Sequence, residues 1–169
     1  AEQSQDLTTD ASFIGTVDQI LLVGSSGVTL DAAQVLKLQQ FNPSTEGYNV
    51  KDTGSALIQL HDGGRDDLLS SATTVTSNST SLSEAVKFND DTDPLNALVD
   101  TYQLSGAAES YISSNPLNVV EAEAVVGVTT SAYTIDDNFS AINNALSDSA
   151  ITTATSITAL AQSVAEAVQ

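Results

Sequence analysis

The chain has 169 residues, with 22 Asp and Glu against 4 Lys and Arg, a formal net charge of −18. The four cations, Lys37, Lys51, Arg65 and Lys87, cannot build the basic surface that nucleic acid or an anionic membrane requires, so neither is expected as a partner. One His and no Cys, Met or Trp remove most of the side chains used for acid–base catalysis, thiol chemistry and transition-metal ligation, and the chain is expected not to be an enzyme.

About a quarter of the residues are Leu, Ile, Val or Phe, which is enough for a folded core. The longest apolar runs, Ile20 to Val23 and Val125 to Val128, are far shorter than the roughly 20 residues that cross a bilayer. No membrane insertion is expected. The first five residues carry neither a basic start nor an apolar stretch, so no secretion signal is visible. Ser and Thr make up another quarter, a surface of hydroxyls and carboxylates that suits high salt, where ions screen the self-repulsion.

Along the chain one short pattern recurs. A flexible start over residues 1–12 leads to Gly24-Ser25-Ser26-Gly27, which reads as a turn, and a weak first copy with apolar Val28 and Val35. Asp31 to Leu38 places Ala32, Val35 and Leu36, with Leu38 as a further candidate, on one helical stripe. Tyr48-Asn49-Val50-Lys51-Asp52 then reads as a strand leading into a helix over 55–62. Asp62-Gly63-Gly64-Arg65 reads as a turn with Asp66 as N-cap of a helix over 66–72. The cycle resumes with a strand at 73–77, a helix over 81–88, an acidic loop, and a helix over 94–100 opened by Pro94. A strand at 102–106 and a helix over 107–114 follow. Glu121 to Val128 repeats the stripe of Asp31 to Leu38, and a strand at 133–137 precedes helices over 139–148 and 157–168. The strand starts at 48, 73, 102 and 133 mark units of about 28–72, 73–117 and 118–168 within one domain spanning 1–169.

The strands are half polar. Asn49, Lys51, Thr74, Thr76, Gln103, Ser105, Thr134 and Asp136 occupy what would be an outer face, whereas a doubly wound sheet needs both faces apolar. The expected fold is therefore α/β: a right-handed, parallel, solenoid-like two-layer repeat with helices on one side. A compact flavodoxin-like α/β fold and a mostly helical fold are the alternatives.

Leu30-Asp31-Ala32-Ala33-Gln34-Val35-Leu36, followed by Tyr48-Asn49-Val50-Lys51-Asp52-Thr53-Gly54-Ser55-Ala56-Leu57, resembles the degenerate repeats of very large secreted cell-surface proteins of bacteria and cyanobacteria, of RTX-like or haemolysin type. The later copies carry Ser105-Gly106 and Asp136-Asp137 where the repeat has Asp-Thr. The resemblance implies an extracellular structural or adhesive segment and brings no catalytic site with it.

Three clusters carry candidate chemistry. Asn89, Asp91 and Asp93 have the alternate spacing of a calcium loop, with Asp100 at its closing position and Pro94 in place of the turn glycine; these four are the candidate metal ligands, against a plain acidic loop in which Asp93 caps a helix. Asp62-Gly63-Gly64 echoes a single calcium-binding glycine-rich turn. His61 beside Asp62 leaves room for an acidic hydrolase, although no Gly-x-Ser-x-Gly elbow is present and a helix C-terminus already favours His. Tyr48, Tyr102 and Tyr133 read as repeat core rather than as a binding ladder. Asn78-Ser79-Thr80 and Asn138-Phe139-Ser140 meet the glycosylation pattern.

These features lead to an expected non-enzymatic structural repeat module of an acidic extracellular, cell-surface or filament protein. Its partners would be further repeats of the same protein or identical chains, and no cofactor is expected beyond the calcium candidate. An ion- or glycan-binding module of a secreted adhesin is the second reading, and an acidic hydrolase the third.

Overall fold

A computed structural model of the protein describes residues 27–39 and 47–163. The start over 1–12 and most of the turn at Gly24 to Gly27 lie outside the described residues. The fold is α/β, with parallel strands and interspersed helices in a two-layer arrangement. In chain order the elements are β1 (Thr29–Leu30), α1 (Ala32–Gln39), β2 (Asn49–Thr53), α2 (Gly54–Asp62), α3 (Asp66–Ser70), β3 (Thr74–Thr80), α4 (Leu82–Asn89), α5 (Pro94–Leu98), β4 (Thr101–Leu104), α6 (Gly106–Ile112), α7 (Val119–Val125), β5 (Thr134–Asn138), α8 (Phe139–Asn144), α9 (Ser149–Thr153) and β6 (Ser156–Leu160).

The chain divides into two compact units. Of the described residues, the first holds those up to Ser79 with Pro94–Tyr102, and the second holds Thr80–Asp93 with those from Gln103 onward. In the first unit β2 stands between β1 and β3, with Leu30 opposite Val50 and Val50 opposite Val75. All three point inward, at 1%, 0% and 2% exposure. Val35, Leu38, Leu57, Leu60, Leu69 and Leu95 complete this core from the helices. The alternate residues face water: Lys51 and Thr74 are exposed, and Asn49 and Thr76 are half-buried. A wet outer face excludes helices on both sides of the sheet, and the mostly helical alternative falls because each of the four predicted stretches contains a strand.

The second unit has its own core of Ile112, Leu117, Val119, Ala122, Val125, Tyr133, Ile135, Ile142 and Ile151. Here β5 pairs with β6 in parallel, and an isolated bridge sets Leu117 beside Ile135.

Helix starts follow their caps. Thr53, Ser81, Ser105, Asn118 and Asn138 each accept a hydrogen bond from the backbone N–H three residues on, and Glu84 and Glu121 return the bond to close capping boxes. Asp31 and Gln34 make the same reciprocal pair, at 2.8 and 3.0 Å. The α2–α3 turn is a Schellman turn: Gly64, at φ +70°, lets Arg65 N–H reach the Leu60 carbonyl and Gly64 N–H reach that of His61.

Several expected boundaries move. The helix predicted over 157–168 is instead the strand Ser156–Leu160, because Ser156, Ile157 and Thr158 continue the register of β5, and β-branched residues suit a pleat. Residues 164–169 lie outside the described residues. The helix predicted over 139–148 breaks after Asn144, and Asp148 precedes a separate α9. The residue at the head of α3 is Arg65, with no side-chain cap, and Asp66 bonds elsewhere. The octet from Glu121 starts late, since Asn118 already caps α7.

Candidate functional site

The most specific side-chain arrangement is one that occurs twice. At the end of β2, Asp52 accepts the N–H of Thr53 through Oδ1 at 2.7 Å, while Oδ2 accepts the N–H of Ala32, 20 residues earlier, at 3.0 Å. At the end of β5, Asp137 accepts the N–H of Asn138 through Oδ1 at 2.7 Å and that of Val119, 18 residues earlier, through Oδ2 at 3.0 Å. Ala32 and Val119 are the first residues of α1 and α7, so each carboxylate satisfies an amide that has no intrahelical partner. It also sits where the helix dipole favours negative charge. Each Asp therefore ties a helix start to the helix start of the preceding coil.

The agreement extends outward from both aspartates. Tyr48 and Tyr133, four residues before them, are 3% and 5% exposed. Their hydroxyls donate to the carbonyls of Leu68 and Ala150 at 2.6 and 2.9 Å. Their own carbonyls accept the N–H of Thr73 and Thr155. Leu30-Asp31-x-x-Gln34 and Leu117-Asn118-x-x-Glu121 head the two stretches with the same box. One module thus appears once in each unit: head box, helix, Tyr-x-aliphatic-x-Asp strand, two short helices and a strand.

Tyr102 does not belong to that series. Val75 donates to Asp100 Oδ2 at 2.6 Å and accepts Asp100 N–H at 3.0 Å, and the Thr76 and Thr101 hydroxyls meet at 3.2 Å. This register sets Tyr102 opposite Ser77, so it is not the counterpart of Tyr48. Burial raises the Tyr102 phenol pKa, and burial with the nearby Asp67 charge raises that of Tyr48.

Two grooves open beside the aspartates. In the first unit a groove of about 340 Å³ is lined by Ala32, Leu36, Asp52, Ala56 and Leu60 among others. In the second, one of about 450 Å³ is lined by Ser83, Val86, Asn118, Val120, Glu121 and Asp137. Both oxygens of Asp52 and of Asp137 already accept backbone amides, which suits these carboxylates to holding backbone rather than to moving protons.

The four candidate calcium ligands fall in different units: Asn89, Asp91 and Asp93 in the second, Asp100 in the first. Asp100 directs its carboxylate to Val75 N–H. The carboxylate that orders the acidic loop is Asp90, which accepts both the N–H and the hydroxyl of Thr92; these bonds hold its pKa below the ordinary range. Among the described residues, no group of three or more His, Cys, Asp or Glu is placed to hold a metal ion. His61 Nδ1 lies 2.7 Å from Asp66 Oδ1, not from Asp62, and fastens the α2–α3 turn. Of the two glycosylation sequons, Asn78 is the exposed extra residue of the β3 bulge, and Asn138 is engaged as the cap of α8.

The sequence pattern offers Asp52 and Asp137 as N-caps and sets Asp136 on the outer face; the caps are the next residues, Thr53 and Asn138, and the double grip is not foreseen. An Asp directly before a Thr or Asn cap, five residues after Tyr at the cap, is the signal that finds it. β6 is also unlike its counterpart. Val75 of β3 is 2% exposed, whereas all five residues of β6 are exposed, including Ile157 at 41% and Leu160 at 58%. No known protein family, curated protein or solved structure matches this chain.

Proposed function

We propose that this chain is a non-enzymatic structural repeat module of an acidic extracellular, cell-surface or filament protein. The observation that carries the reading is the doubled Asp grip, Asp52 on Ala32 and Thr53, and Asp137 on Val119 and Asn138. A carboxylate used twice to lock one coil to the next is what a stacked architecture requires of its sequence, since each coil is stable only against its neighbours. The secreted bacterial or cyanobacterial setting rests on the resemblance of residues 30–57 to repeats of large surface proteins. The charge of −18 supports it, as a surface that stays soluble in salt.

Two measurements test this. Asp52→Ala and Asp137→Ala, each in the whole chain, are expected to lower stability by similar amounts, about 1–2 kcal/mol, because each leaves two amides without their acceptor. A cost at one site and none at the other refutes the repeat. For the setting, antibodies to the chain are expected to label intact, unpermeabilised producing cells or their secreted material. Label confined to the cell interior overturns the surface assignment.

A further inference from the structure

The outer edge of β6 is where this module differs most from its twin. In the first unit the outward N–H and C=O of Val75 are both taken up by Asp100, on the segment leading into β4. In the second unit the residue at the same register is Ile157, opposite Ile135 as Val75 is opposite Val50. Leu117 takes the Thr134 carbonyl and the Asp136 N–H. By the alternation of a parallel ladder Ile135 then turns toward β6, and Ile157 and Ala159 turn their N–H and C=O away from β5. Among the described residues no strand lies on that side: the sheet order is β5-β6 and ends there.

Exposed edges are ordinarily blunted by Lys, Pro or inward-pointing charge. Ser156-Ile157-Thr158-Ala159-Leu160 has none of these, and the chain carries no charged residue from Ser149 to Ala165. In a molecule of net charge −18 this strand offers a second copy an edge that carries no charge of its own. Two of its five residues, Ile157 and Thr158, are β-branched and pair well.

We propose that β6 docks a second copy of this chain by antiparallel β6-to-β6 pairing about a twofold axis, continuing the sheet as β4 continues β3. The inference rests on the repeat reading, through the equivalence of Ile157 with Val75. An isologous contact of this kind closes at two copies. Five residues a side make a small interface, so association is expected over roughly 10 µM to 1 mM. It should strengthen with salt, because salt screens the repulsion between the acidic bodies while leaving the neutral strands unaffected.

Sedimentation equilibrium of the whole chain, in low and in high sodium chloride, tests it. The expected result is a monomer–dimer equilibrium that shifts toward dimer with salt and stops at two. In Ala159→Pro and Leu160→Lys the dimer is expected to vanish while far-UV circular dichroism and Tm stay within error of the parent. If one variant unfolds, the other decides. A parent chain that remains monomeric at about 1 mM in high salt overturns the proposal, as do folded variants that still dimerise or an open series of trimers and longer species. Failure here with equal costs at Asp52 and Asp137 removes the docking and leaves the repeat. Unequal costs with an intact dimer do the reverse.

Discussion

The stretch from Val28 to Ser79 and the stretch from Leu117 to Leu160 are built on one plan and finished differently. Both open with a reciprocal cap and turn on a buried Tyr whose hydroxyl holds a carbonyl 17 or 20 residues on. Both close the second helix start with an Asp that reaches back to the first. Their last strands part company, since Val75 is buried at 2% and Ile157 stands 41% exposed. What persists between the copies is the polar framework that sets the register; what varies is whether a further strand covers the end. The two stretches can therefore be matched by their hydrogen bonds even where their apolar patterns differ.

The largest effect expected on this comparison comes from the two equivalent strand positions. Val75→Ala removes apolar surface from a filled core and should cost about 2 kcal/mol in chemical denaturation. Ile157→Ala, a larger truncation on paper, should cost under about 0.5 kcal/mol in the monomer, because the side chain is substantially hydrated already. Equal costs would show that β6 is covered as β3 is, and would break the contrast.

A smaller effect sharpens the similarity. Tyr48→Phe and Tyr133→Phe each leave a buried carbonyl, of Leu68 or Ala150, without its hydroxyl donor, and each should cost about 1 kcal/mol. If one is neutral, the tyrosines are space-filling in that copy and the shared framework shrinks to the aspartates.

Much of this plan is legible in the sequence, for reasons that particular residues make plain. Val50, Val75 and Ile135 alternate with Asn49, Thr74 and Thr134, and that period of two predicts both the strands and their wet outer face. An Asp or Ser at the strand end marks the helix start that follows, although the caps themselves fall one residue later at Thr53 and Asn138 because Asp52 and Asp137 are turned to other amides. Tyr102 misleads because an aromatic with an aliphatic two residues later matches the pattern locally, whereas register is set by Asp100 and Thr101 across the sheet. Ser156 to Leu160 misleads because the Ala-rich continuation carries helical spacing, and pairing with β5 overrides it. The double grip of Asp52 and Asp137 stays hidden because one of its two bonds spans 20 or 18 residues, and a single sequence records only the near partner.

The smallest expected effect is one of sign, and it lies within the second unit. Burial pushes the Glu109 carboxyl up, but hydrogen bonds from Ser131, Thr130 and Thr129 outweigh it and leave the pKa below the ordinary glutamate range. The Thr129 hydroxyl and Thr130 N–H sit at 2.8 and 3.1 Å from its two oxygens. Glu123 moves the other way: burial raises its pKa, and the charge and hydrogen bond of Asp148 raise it further. A lowered carboxylate pKa gives stability that is present at neutral pH and lost as pH falls through the folded value. A raised one gives stability that is present below about pH 4.3 and lost as pH rises through the folded value. Glu109→Gln should therefore lower Tm at pH 7, with the deficit closing on acidification. Glu123→Gln should raise Tm at pH 7 by removing the repulsion with Asp148, with that gain also closing in acid. Differential scanning calorimetry of both variants against the parent at pH 7, 5 and 3.5 reads the two signs directly. Shifts of the same sign at pH 7 would mean that one carboxylate is held by something other than these partners.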